Sequence, residues 1–72
     1  MALDSLIYHY AEIDPATNMC VGIHTASYIS TDPNWVQIPE YIDDYVFKYY
    51  NWDNGKWYYD AAYQNEATEL NG

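Results

Sequence analysis

The dipeptide Asn54-Gly55 lies between two aromatic runs, residues 46–52 and 57–62. Asn-Gly is the strongest short-range hairpin signal, because a type I′ turn needs positive φ at both central residues. The sequence therefore predicts two strands joined by a tight turn, with Asp53 opposite Lys56 and Trp52 opposite Trp57. That second pair falls at a non-hydrogen-bonded position, where side chains come closest. Two indoles there pack edge to face for roughly 0.5–1.5 kcal/mol beyond area burial. The same register sets Tyr50 against Tyr59 and Lys48 against Ala61. These aromatics read first as hairpin glue and core, and second as a platform for a sugar or a protein.

The first half of the chain predicts another hairpin. Residues 6–13 carry the bulky set Leu6, Ile7, Tyr8, Tyr10 and Ile13. Asp14-Pro15-Ala16-Thr17-Asn18 is a turn signature, in which Pro presets φ and Asp and Asn close the loop through their side chains. Residues 19–29 alternate Met19, Val21 and Ile23 against Cys20, Gly22 and His24, which reads as a strand, and Gly22 marks a candidate bulge or a close backbone approach. Residues 30–45 form a connector with a turn at Asp32-Pro33-Asn34, a short edge strand at Trp35-Val36-Gln37-Ile38, and room for one helical turn after Pro39. The expected fold class is mostly β: two antiparallel hairpins forming a small four- to five-stranded meander. One domain, residues 1–63, holds hairpin 6–29, connector 30–45 and hairpin 46–63. The polar tail, residues 64–72, is expected to fray or to lie on a neighbour.

A fold of 72 residues has a small core and ordinarily needs a staple or a partner. Cys20 is the only cysteine, so no intramolecular disulfide forms. A structural zinc site takes about four ligands, more than one Cys and two His provide. Oligomerisation or docking on something larger is the remaining expectation. The net charge is −9, with Lys48 and Lys56 the only strong cations. Such a surface repels phosphate backbones and anionic membranes, so the expected partner is a protein, neutral or basic where it makes contact. No apolar run is long enough to cross a membrane, and Met1-Ala2-Leu3-Asp4 lacks the basic start of a signal peptide. Synthesis in a reducing cytoplasm is the expectation.

Little catalytic chemistry is written in the chain. Asp43-Asp44 reads as a solvated turn. Cys20 has apolar neighbours and no adjacent cation to lower its pKa, so it reads as an inert buried thiol. There is no phosphate loop and no nucleophile elbow. If residues 15–18 form a four-residue loop, His9 sits across from His24, which supplies half of a metal site; the plainer reading is two histidines on a polar face. A one-residue slip destroys the pairing. No enzyme activity, cofactor or metal is expected.

The order of several motifs resembles small open reading frames of tailed bacteriophages. The resemblance is carried by Tyr8-His9-Tyr10-Ala11-Glu12-Ile13-Asp14, then Cys20-Val21-Gly22-Ile23, then Ile38-Pro39-Glu40-Tyr41, then Lys48-Tyr49-Tyr50 and Asn54-Gly55-Lys56-Trp57. It spans about residues 6–60. The chain departs from the pattern at Thr25-Ala26-Ser27-Tyr28, where Ser-Gly is frequent, and in its Trp-rich last hairpin. What the resemblance implies is a non-enzymatic structural protein of the virion, at the tail, baseplate or tail fibre, docked on a larger viral protein. Candidate docking residues are Trp35, Tyr49, Trp52, Trp57, Tyr58 and Tyr59. Alternatives are a tail-fibre assembly chaperone, an acidic DNA-mimicking inhibitor of a host defence protein, and a carbohydrate-binding tip module.

Overall fold

The computed structural model describes residues 7–71. Among the described residues, five strands run in the order β1 (Tyr8–Ile13), β2 (Cys20–Ala26), β3 (Trp35–Ile38), β4 (Tyr49–Asn51) and β5 (Lys56–Tyr58), with a 3-10 turn at Asp43–Tyr45 and a short C-terminal helix α1 (Thr68–Asn71). The mostly β class and the helical turn in the connector match the sequence reading. Of the expected strand 6–13, Leu6 lies outside the described residues.

The strands divide into two antiparallel sheets rather than one running meander. β1 is central in the first, ordered β2-β1-β3, and β4 pairs with β5 in the second. The two are joined through the start of β2. Met19 bridges Tyr49, Cys20 N–H donates to Lys48 C=O at 2.8 Å, and Tyr50 N–H donates to Asn18 C=O at 2.9 Å. On the far side Tyr58 bridges Glu66. Hydrogen bonds thus run β3-β1-β2-β4-β5 and on to the segment at Glu66.

Both hairpins close with the same four-residue loop. Asn18 N–H donates to Asp14 C=O at 2.7 Å, and Gly55 N–H donates to Asn51 C=O at 2.8 Å. The leading side chain caps each loop: Asp14 Oδ1 accepts from Ala16 N–H and Asn51 Oδ1 from Asp53 N–H, both at 2.9 Å. Thr17 Oγ1 and Asn54 Oδ1 then accept from the residues that leave the loops, Met19 and Lys56. The last loop residue is left-handed in each, Asn18 at φ 65° and Gly55 at φ 73°. These are residue types that tolerate that region.

This corrects the expected two-residue turn. Only Gly55 of the Asn-Gly pair takes positive φ, because the Asn51 cap draws Trp52 and Asp53 into the loop ahead of the Asn-Gly pair. Lys56 therefore pairs with Asn51, Trp57 with Tyr50, and Tyr58 with Tyr49. Trp52 leaves the strand for the loop and does not face Trp57.

The first hairpin follows its expected loop, with Asp14 N–H bonded to Met19 C=O at 2.9 Å. A bulge follows at once. Ile13 pairs with Cys20 and Glu12 with Gly22, so Val21 is the extra residue. The bulge turns both Cys20 and Ile23 toward the core, which strict alternation forbids. It also slips the register by one, so His9 pairs with Thr25 and His24 with Tyr10.

The core joins both sheets: Ala11, Ile13, Cys20, Ile38, Tyr45, Trp57 and Ala67. The tail belongs to it and is not frayed. Ala67 is fully buried, its N–H donates to Trp57 C=O at 2.9 Å, and Leu70 packs alongside. The Asn71 amide takes the place of a neighbouring strand. Its Oδ1 accepts from Trp57 N–H at 2.7 Å and its Nδ2 donates to Trp57 C=O at 3.1 Å. An orphaned donor at such a site costs about 1–3 kcal/mol. Asn71→Ala is expected to lose that much in urea unfolding; an unchanged midpoint refutes the role.

Candidate protein-docking surface

The sheet pairing separates the two histidines. Adjacent residues on β1 point to opposite faces, so His9, opposite Thr25, and Tyr10, opposite His24, place the imidazoles on opposite sides of the sheet. His9 Nδ1 lies 3.2 Å from Thr25 Oγ1, and its ring meets Tyr41 edge-on at 6.0 Å. His24 Nε2 is 2.6 Å from Glu12 Oε1, and its ring stacks on Trp35 at 4.4 Å and 4°. Each imidazole thus has a structural occupation. Among the described residues no three His, Cys, Asp or Glu side chains cluster as a metal site.

Cys20 is fully buried, with its thiol 3.4 Å from Gly22 C=O. Burial pushes its pKa up, more than the Gly22 contact lowers it. Tyr45 is raised by burial, then by the charges of Glu40 and Asp44. Both groups stay neutral in the fold at a pH where the unfolded chain ionises. Their stabilisation is full below the unfolded pKa and is lost as pH rises through the folded one. Urea resistance is therefore expected to decline above about pH 8.5, the ordinary thiol value, and native Cys20 to resist iodoacetamide until the chain unfolds. Labelling of the folded chain at pH 8 contradicts this.

The six candidate docking residues fall into three groups. Trp57 is 4% exposed and Tyr58 is buried beside it. Trp57 lies 4.9 Å from both the Tyr45 and the Tyr50 rings. Tyr58 packs on Tyr63 at 5.3 Å and takes Asn54 Nδ2 on its hydroxyl at 2.9 Å. Neither can be a contact surface; both are core. Trp35 and Tyr49 are half-buried, Trp35 between His24 and Tyr10, whose ring is 5.7 Å away. Trp52 and Tyr59 remain at the surface, 47% and 48% exposed.

These two exposed rings are held in place. Trp52 Nε1 donates to Asn18 Oδ1 at 3.2 Å, and its indole stands at 87° to Tyr50, 4.9 Å away. The Tyr59 hydroxyl donates to Glu69, which raises the tyrosine pKa and lowers that of the carboxyl. The Lys48 ammonium lies 5.5 Å from the centre of the Tyr59 ring. Fixed aromatics lose little conformational entropy on binding, a property of protein-binding surfaces.

Sequence reasoning missed the other exposed apolar side chains: Ile7, Val21, Tyr28, Ile29, Tyr41 and Phe47. Ile7, Tyr28 and Ile29 fall just beyond strands that end sooner than expected. Phe47 is 69% exposed, the most of any large apolar side chain described. No sequence signal marks it, since its position in a run of aromatics reads as strand.

Three carboxylates, Asp14, Asp32 and Asp60, are occupied as turn caps. Asp32 Oδ1 accepts from Asn34 N–H at 2.8 Å, and Asp60 Oδ1 accepts from Gln64 and Asn65 N–H at 3.0 and 2.9 Å. No protein family, curated protein or solved structure matches the chain.

Proposed function

We propose that the chain is a non-enzymatic structural component of a bacteriophage virion, seated at the tail, baseplate or tail fibre and docked on a larger viral protein. The observation that carries the docking part is the set of exposed aromatics on turns, Phe47, Trp52 and Tyr59, two of them fixed by hydrogen bonds. Exposed aromatics held rigid by their neighbours offer contact area at low entropic cost. The virion part draws on the ordered motifs in residues 6–60, as set out above. A DNA mimic needs carboxylates aligned like phosphates; Asp14, Asp32 and Asp60 instead bond their own backbones, which favours the structural reading.

The test is quantitative mass spectrometry of purified particles. A fixed copy number relative to the major tail protein is expected. Presence in infected cells but absence from particles refutes the virion role and leaves the assembly chaperone or the inhibitor.

A further inference from the structure

Phe47 holds a backbone conformation that favours glycine, twice over. Residues 45–48 form a turn closed by Lys48 N–H to Tyr45 C=O at 3.1 Å. Val46 at φ −65°, ψ 134° and Phe47 at φ 70° give it type II geometry, whose third position selects Gly or Asn. Phe47 is also the extra residue of a bulge. Its N–H donates to Cys20 C=O, and Cys20 N–H donates to Lys48 C=O, both at 2.8 Å. In this bulge the left-handed first residue is ordinarily glycine. The two hairpin loops meet the same demand with Asn18 and Gly55. Tyr63, at φ 59°, at least has a use for its side chain: the ring packs on Tyr58 and the hydroxyl bonds Asn18 and Tyr50. The Phe47 ring is 69% exposed and has no aromatic partner among the described residues. Backbone strain of this kind clusters at ligand clamps.

Two bulges meet at this point. Val21, the extra residue of the β1–β2 pair, directly follows the Cys20 that Phe47 bonds, and is itself 45% exposed. The turn that leads into Phe47 carries Asp43 and Asp44, both exposed. The nearest cation, Lys48, sits over the Tyr59 ring. A second copy of the chain would bring the same carboxylates and another −9 of charge. Charge complementarity instead selects a partner with a basic rim.

We infer that Phe47, flanked by Val21, is the anchor with which this chain docks into an apolar pocket, basic at its rim, on a partner protein. The inference rests on the docking role proposed above and names the contact that performs it.

Two measurements on Phe47→Gly decide it. The unfolding midpoint of the purified variant is expected to rise by about 4–8 °C, the shift expected in a domain of this size for relief of a strained residue. A lower midpoint than wild type means that the ring packs within this chain, and overturns the inference. Particles assembled with wild-type or Phe47→Gly chain are then compared by quantitative mass spectrometry. At least tenfold depletion of the variant, with wild type retained, supports the anchor. Equal retention overturns it and leaves the virion role standing. Absence of wild type from particles refutes the virion role alone. The anchor is then judged by cross-linking in the producing cells, with a benzophenone-bearing phenylalanine in place of Phe47. One adduct, lost when Asp43 and Asp44 are both changed to Lys, supports it; no adduct overturns it. A wild-type dimer in sedimentation that Phe47→Gly dissolves assigns the site to a second copy, and also overturns it.

Discussion

Trp57→Ala is expected to leave the chain largely unfolded at room temperature. The indole is buried against Tyr45 and Tyr50, and the backbone of the same residue receives Ala67 and Asn71. Truncating a buried Trp costs about 3–5 kcal/mol. A chain of 72 residues holds on the order of 4–11 kcal/mol at ordinary per-residue stability, and one whose single cysteine allows no internal disulfide sits toward the low end. The loss is therefore comparable to the whole. Circular dichroism and urea titration read it directly. Trp52→Ala is the control: half-exposed and in a loop, it is expected to cost about 1 kcal/mol, the net worth of its one hydrogen bond. Equal effects of the two substitutions contradict the register that buries one indole and exposes the other.

Asn18 carries the second large effect, because it ties the two hairpins together. Its backbone is left-handed at φ 65°, and its C=O accepts from Tyr50 N–H. Its side chain accepts from Trp52 Nε1 and donates to the Tyr63 hydroxyl at 3.0 Å. Asn18→Ala loses both side-chain bonds, at about 1 kcal/mol each, and forces a Cβ residue without Asn's tolerance into the left-handed region, at about 1–2 kcal/mol. A total of about 3–4 kcal/mol is expected. Asn18→Gly removes only the side-chain part and is expected to cost about 2 kcal/mol. The gap between the variants, read from urea midpoints, measures the backbone share. Identical midpoints rule out the conformational argument.

The parts of this fold that were legible in the sequence are those fixed by neighbours in the chain. The Asp14-to-Met19 loop follows from Pro15 and two capping side chains. The strand Trp35–Ile38 stands between Pro33 and Pro39, and the connector makes its helical turn at Asp43–Tyr45. What escaped depends on partners distant in sequence. The bulge falls at Val21, one residue before the candidate Gly22, because Cys20 reaches the core while its backbone pairs with Phe47 and Lys48. Ala67 is one small apolar residue in a polar run, and only the free edge of β5 gives it a place. The Asn54-Gly55 signal found the hairpin but not its width, since the Asn51 cap competes with the tighter turn. Of the docking candidates, the aromatics of the regular strand pattern are those the core consumed. The surface fell instead to residues at turns, where pattern says least.

The two ends of the hydrogen-bonded ladder are guarded in different ways. β3 is four residues long and bracketed by prolines, which discourages another strand from adding to it. At the opposite end the Asn71 amide satisfies both polar groups of Trp57. A protein rich in tyrosine and tryptophan, with short strands and no covalent lock, is the sort of chain that polymerises edge to edge into fibrils. Here the tail's backbone pairing with β5, one amide side chain and two proline rings stand against that fate. Loss of the last few residues would convert the second hairpin from a closed unit into a template for its own aggregation.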